Sequence, residues 1–248
     1  MSGFWPIFKR ELWSLVVTPI AWVVSTAFLI IMGLFFFFLL VSFGAAEDVV
    51  RASGPIETFF GGSVFFYFPM VLICPVLTMR LFAEERRSGT IEALMTTPCT
   101  PAAIVLGKFF ATFTAFIAMW SPTLLYMVIL DRFGEIEWNI IWTGYLGVVL
   151  VGGAYLSVGT LASSLTQNQL SAAVGSAVFI LMIFLVGFLA TIVEDGPLRA
   201  AAEHVSVSAL MNDLSRGLVD TRRIVFWMSF MIVPLFATIR TVEAWRWG

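Results

Sequence analysis

Six long apolar stretches dominate this chain of 248 residues and restrict its fold more than any other feature. A helix needs roughly 20 consecutive apolar residues to cross the hydrocarbon core of a bilayer. Because no water reaches the backbone there, the backbone N–H and C=O groups of a spanning segment must form hydrogen bonds with each other, as they do in a helix. We therefore predict six transmembrane helices, at residues 19–43, 59–79, 104–130, 138–161, 170–193 and 224–239.

The composition agrees with a membrane protein. Apolar residues make up 60% of the chain and charged residues only 12%, whereas about a quarter of the residues in a soluble domain are charged. The net charge of −2 gives no reason to expect a nucleic-acid partner. The predicted fold class is an all-α integral membrane protein that is embedded in the lipid bilayer. A single transmembrane domain is expected over residues 1–248.

Two segments outside the spans also have helical character. Residues 4–13 combine aromatic and basic side chains, which favours a helix in the membrane interface, although a plain flank of the first span is the alternative. The connection 194–223 favours short amphipathic helices on or in the outer leaflet, rather than a solvated loop. Its apolar residues fall near helical spacing, and we expect Leu210 and Leu214 to be lipid-accessible.

The basic residues suggest an orientation. With both termini in the cytoplasm, the inside segments carry more Lys and Arg than the outside ones, as the positive-inside rule requires. The pair Arg222 and Arg223 is the exception, and it lies in the long 194–223 connection. Lys108 lies near the start of the third span, where we expect it to extend to the interface.

No pattern in the chain predicts catalysis or cofactor binding. The only Gly-Lys pair, Gly107 and Lys108, is followed by Phe109, so the phosphate-binding loop of ATPases is missing. A single histidine, His204, makes a histidine-based metal site improbable, and no histidine lies in an apolar stretch to activate a serine. We therefore expect no catalytic, cofactor-binding or metal-binding residues.

The connection 80–108, between the second and third spans, differs from the rest of the chain because it concentrates charge. Thr90 can cap a short helix with Glu92 in its first turn, and Pro98 and Pro101 end that helix. Thr97 or Thr100 then restarts the chain. Ile91, Leu94 and Met95 lie on one face, which suits a partner's groove; a solvated loop is the alternative.

This connection resembles the coupling-helix region of type-2 ABC exporter permeases (ABC-2 type transporter permeases). The family pattern E-x-x-x-G-T-x-E-x-L-x-x-x-P, followed by G-K, is matched by Glu85, Gly89, Thr90, Glu92, Leu94, Pro98, Gly107 and Lys108. Within the class the chain is most similar to the gliding-motility permease subgroup. Ser215, Gly217, Asp220 and residues 225–230 carry that likeness.

The resemblance implies a non-catalytic permease subunit of an exporter in the bacterial cytoplasmic (inner) membrane. It implies that a separate ABC ATPase, which binds ATP and Mg, docks on the coupling helix. A second permease copy or sibling permease would complete the pathway, and an auxiliary envelope protein is a further possible partner. The alternative is a passive channel or structural membrane scaffold. The expected docking residues are Glu85, Gly89, Thr90, Ile91, Glu92, Leu94, Met95 and Pro98.

Overall fold

The computed structural model describes residues 3–45, 54–61, 64–91, 99–132, 136–189 and 196–245, and these contain helices and turns but no strand. A 3-10 turn, Ser121–Thr123, joins α6 to α7. The helices, in chain order, are α1 (Phe4–Val17), α2 (Pro19–Ala45), α3 (Pro55–Phe60), α4 (Val64–Thr78), α5 (Ala83–Arg87), α6 (Pro101–Trp120), α7 (Leu124–Asp131), α8 (Trp138–Leu165), α9 (Gln169–Leu189), α10 (Pro197–Val205), α11 (Val207–Ser215) and α12 (Thr221–Ala244).

Six of the described helical segments are long and apolar enough to cross a membrane, which confirms the predicted all-α membrane fold. The second span differs from the prediction, because Phe59 belongs to the separate helix α3 and the spanning helix α4 begins at Val64. Helix α3 begins at Pro55 and is followed by Gly61. The third span is interrupted at Pro122, whose ring cannot continue a regular helical hydrogen-bond ladder.

Helix α8 is the central helix of the bundle, and α4, α6, α9, α11 and α12 all pack against it. Its glycines permit this packing. A Cβ atom at Gly152 would overlap the Phe116 ring of α6, and one at Gly159 would overlap the Thr78 hydroxyl of α4. Small residues that let backbones approach closely are the usual means of helix association in a bilayer. Gly152 and Gly159 therefore let α6 and α4 approach α8 closely.

The outer helices expose apolar side chains along their length. Trp22, Ile30 and Phe37 on α2, and Val225 and Val233 on α12, are more than half exposed. A soluble protein would not leave such continuous apolar faces in water. These faces fit the hydrocarbon core of a bilayer or the surface of a second membrane subunit.

The predicted short helices before the last span are present as α10 and α11. Their expected lipid exposure is wrong for α11, because Leu210 and Leu214 are buried. The apolar face of α11 packs on the start of α8, where the Thr143 hydroxyl donates a hydrogen bond to the Leu214 carbonyl over 2.7 Å. Gly147 lies directly beneath Leu214 and Met211. Helix α11 is therefore part of the protein core at this end of the bundle.

Helix α1 is a separate element that packs along α6. The extended backbone of Thr18 ends α1, and Pro19 begins α2. The aromatic residues Trp5 and Trp13 are well exposed on α1, as expected of a helix with one face in the membrane interface.

Candidate functional site

The charged connection after α4 is held firmly to the end of α8. The backbone amides of Phe82 and Ala83 both donate to the Ser163 hydroxyl oxygen, at 3.1 and 3.2 Å. That hydroxyl in turn donates to the Met79 carbonyl over 3.1 Å. Arg86 donates to the Ser164 carbonyl over 3.1 Å. Helix α5 therefore has a fixed position on the bundle instead of projecting as a free loop.

A buried lysine links this connection to α1. Lys108 Nζ lies 2.8 Å from Glu11 Oε1 and 2.9 Å from Glu85 Oε1. Arg10 reaches the same Glu85 oxygen at 3.4 Å. The Lys108 side chain is only 2% exposed, while the two carboxylate side chains are 15% and 12% exposed. The sequence-based expectation that Lys108 extends to the interface is therefore wrong; its charge is used inside the protein.

The glycine before Lys108 explains how α1 comes so close. A Cβ atom at Gly107 would lie 3.0 Å from Ile7 Cγ2 and 3.3 Å from the Phe4 carbonyl oxygen. Both contacts are tighter than ordinary van der Waals packing. Gly107 thus lets α1 rest on α6, and Lys108, one residue later, meets Glu11 of α1. The Gly-Lys pair has a packing and pairing role in this structure.

Of the two threonines predicted to restart the chain, Thr100 is the one that begins α6, and Pro101, which was expected to end the preceding helix, belongs to the start of α6. The Thr100 hydroxyl accepts a hydrogen bond from the Ala103 amide over 3.2 Å, and Pro101 is the first helical residue. Proline is favoured there because the first helical N–H has no partner within the helix. This cap fixes where α6 begins, and so places Lys108 two turns into the helix.

Four of the eight predicted docking residues lie in the described part of the chain. Glu85 turns inward to Lys108, whereas Thr90 is exposed and Ile91 packs against the hydrophobic core. Gly89 has φ +71°, a left-handed conformation that favours glycine. Thr90 is itself helical, so this helical segment begins earlier than a Thr90 cap would place it. Glu92, Leu94, Met95 and Pro98 lie outside the described residues.

The end of α12 lies at the same end of the bundle. The Arg86 guanidinium lies 4.8 Å from the centre of the Trp245 ring, and Phe82 makes an edge contact with that ring. Arg10 on α1 also contacts Glu85. The helices nearest the two termini and the charged connection therefore meet at one end of the molecule. We call this the charged end.

Residues 52–239 match the model of the ABC-2 family transporter proteins. This match covers most of the chain. The chain belongs to the ABC-2 transporter family. A search of the curated proteins gives no match.

As an ABC-2 family member, the chain is a membrane component of a transporter. The matched region begins after α2, so Arg10 and Glu11 lie outside it. The ion-pair network nevertheless joins these α1 residues to Glu85 and Lys108 within the matched region.

The pairing of Glu11 with Lys108 was not predicted from the sequence. They are 97 positions apart, and only helix packing brings them together. One signal was available, since a lysine inside an apolar stretch must find a carboxylate or reach water. The preceding glycine, which marks a close helix contact, is a second signal.

Proposed function

We propose that this ABC-2 chain is the permease subunit of an ATP-driven exporter in the cytoplasmic (inner) membrane of a bacterium. The observation that carries the proposal is the family match together with the position of the charged connection 80–108. Hydrogen bonds fix the first part of that connection to α8, and ion pairs join it to α6 and α1. A force applied there would reach three helices at once.

In this proposal a separate ABC ATPase, which holds ATP and Mg, docks on residues 85–98. Ile91, Leu94 and Met95 provide apolar contacts, and Gly89, Thr90, Glu92 and Pro98 shape the segment. Glu85 has a structural role instead of a role in contacting the ATPase, because its carboxylate holds the connection to Lys108 of α6. Apolar anchors carry most of the binding energy in such interfaces, while charges at the rim contribute less.

The charged end is cytoplasmic in this proposal, and with it both termini. A second copy of the chain, or a sibling permease, completes the pathway. The gliding-motility permease subgroup is the proposed branch of the family, in which an auxiliary envelope protein would be a further partner. The cargo, or the envelope component that is moved, is carried by the assembly and not by this subunit alone.

The substitution Leu94→Asp tests the docking site. It would place an unpaired charge in an apolar contact, which costs several kcal/mol. We expect loss of ATPase co-purification and of transport-linked ATP turnover, with normal membrane insertion. The matched control is Leu218→Asp, because Leu218 is 60% exposed at the opposite end of the bundle. Glu92→Gln should have a milder effect than Leu94→Asp.

Retention of ATPase binding and turnover in Leu94→Asp would contradict the docking site. Loss of both in Leu218→Asp as well would mean that the substitution acts through general destabilisation. If no ATPase co-purifies with the unmodified chain, the passive channel or scaffold becomes the better reading.

A further inference from the structure

A cleft of about 470 Å³ opens at the charged end, between α1, the start of α2, the end of α4, α5 and α6. Its volume is within the range of small-molecule binding sites. Ser14, Thr18 and Gln169 add uncharged polar groups to its lining. Six charged residues also line it: Arg10, Glu11, Arg80, Glu84, Glu85 and Lys108.

Part of this charge is already neutralised within the protein. Lys108 and Arg10 pair with Glu11 and Glu85 through one oxygen of each carboxylate. The second Glu85 oxygen, Oε2, is buried and accepts no hydrogen bond within the described residues. This oxygen is closed off from the cleft, so Glu85 adds negative potential to the cleft wall and does not itself contact a ligand.

Arg80 provides the opposite charge. Its Nε is buried without a hydrogen-bond acceptor, and in the part of the chain that the structure describes Arg80 has no ion pair. Glu84, which also lines the cleft, is exposed and has no ion pair there either. Among the described residues, the cleft therefore presents one guanidinium, that of Arg80, and one exposed carboxylate, that of Glu84, neither of which has an ion pair.

The inner wall of the cleft is apolar. Ile20, Ala21 and Val24 of α2 face Val76 and Leu77 of α4. These residues are the first turns of the first span and the last turn of the second. The cleft thus changes from charged to apolar along the axis of the spans, as a lipid changes from headgroup to acyl chain. Ile20 is 41% exposed, so this wall reaches the bundle surface that faces the bilayer.

We propose that this cleft binds a zwitterionic phospholipid, one that carries a phosphate and an ammonium group. The phosphate would pair with Arg80, and the ammonium would pair with Glu84, where the buried carboxylate of Glu85 adds negative potential. The glycerol region and upper acyl chains would lie along Ile20, Val24 and Leu77. An anionic lipid such as phosphatidylglycerol fits less well, because its phosphate can pair with the same arginine but its headgroup offers the carboxylate only neutral hydroxyl donors and no cation.

The experiment uses the purified, delipidated full chain without an ATPase, so its outcome does not depend on ATP coupling. The probes are phosphatidylethanolamine and phosphatidylglycerol, each with a fluorophore on one acyl chain. We expect about tenfold tighter binding of the ethanolamine lipid, which corresponds to about 1.4 kcal/mol. Equal affinities for the two lipids would overturn the zwitterion assignment.

Arg80→Gln removes the phosphate partner and should weaken binding of both lipids about tenfold. Arg87→Gln is the matched control, because Arg87 is an exposed arginine of α5 that does not line the cleft. Glu84→Gln should weaken the ethanolamine lipid alone, so that the two affinities converge. Unchanged binding in Arg80→Gln, or equal loss in Arg87→Gln, would overturn the site.

Ala21→Trp keeps every charge but fills the apolar wall, and should abolish binding of both lipids. Retention of binding in this variant would place the lipid elsewhere. Glycerophosphoethanolamine, the soluble headgroup, distinguishes a lipid from a free ligand. We expect it to compete only at concentrations far above that of the lipid probe, because it lacks the chains that the apolar wall accepts. Competition at equal concentration would overturn the lipid assignment.

Discussion

Lys108 shows how a single charge can organise one end of a membrane protein. Its ammonium lies within 2.9 Å of two carboxylates from different segments of the chain. Moving three charges out of water has a large desolvation free energy, and the attraction between them offsets it only when the geometry is good. Removal of one partner leaves the other charges buried without compensation, which is the more damaging change.

We therefore predict that Lys108→Met destabilises the chain by about 3 kcal/mol. The measurement is thermal unfolding of the purified protein in detergent. Arg240→Met is the control, because Arg240 pairs with Glu243 on an exposed surface and such pairs contribute little. The triple variant Lys108→Met, Glu11→Gln, Glu85→Gln should recover part of the loss. Equal unfolding temperatures for Lys108→Met and the unmodified chain would contradict a structural role for this network.

At the scale of elements, α11 differs from its simplest description as an amphipathic surface helix. Its apolar face packs on α8 and on α3, and its end is tied to α3 by the 2.7 Å ion pair between Arg216 and Glu57. Arg223 of α12 pairs with Asp213 of α11 at 3.2 Å. This pairing offsets the charge of Arg223, which was an exception to the positive-inside rule.

Leu214→Ala should therefore destabilise the protein by about 2–4 kcal/mol, because it leaves a cavity between α11 and α8. Leu218→Ala makes the same chemical change three residues beyond α11, at a side chain that is 60% exposed, and should be close to neutral. Thermal unfolding of the two variants in the same detergent gives the comparison. Equal, small effects would mean that α11 lies on the lipid surface after all.

At the scale of the whole molecule, α8 separates two ends with different contacts. Thr143 near its start meets α11, and Ser163 near its end holds α5. Twenty helical residues separate the two positions by about 30 Å, which is the thickness of the hydrocarbon core. The charged end carries α1, α5 and the end of α12, so an even number of crossings lies between the two termini.

This arrangement predicts that reporters at Ser2, Thr97 and Gly248 lie on the same side of the membrane, in the cytoplasm. A reporter at Leu218 should lie on the other side. Single cysteines labelled with a membrane-impermeant reagent, in intact cells and after permeabilisation, provide the measurement. Labelling of Ser2→Cys in intact cells would contradict the proposed orientation.

The amino-acid sequence alone determined the membrane class, the approximate spans and several helix boundaries. A long apolar stretch can cross a bilayer only in a few backbone conformations, so its composition is enough to identify a span. The start of α6 at Thr100 and Pro101 depends only on residues that are neighbours in the chain. The family pattern could likewise be recognised from residues close together in the chain.

Only the tertiary structure decided which helices meet. In lipid an apolar surface is equally well covered by a bilayer or by another helix, so apolar patterning does not specify neighbours. The pairing of Lys108 with Glu11 and the burial of Leu214 under α8 both depend on contacts between residues distant in the chain. The position of Arg80 has the same origin, because the packing of the helices, and not the arginine itself, leaves its Nε buried without an acceptor.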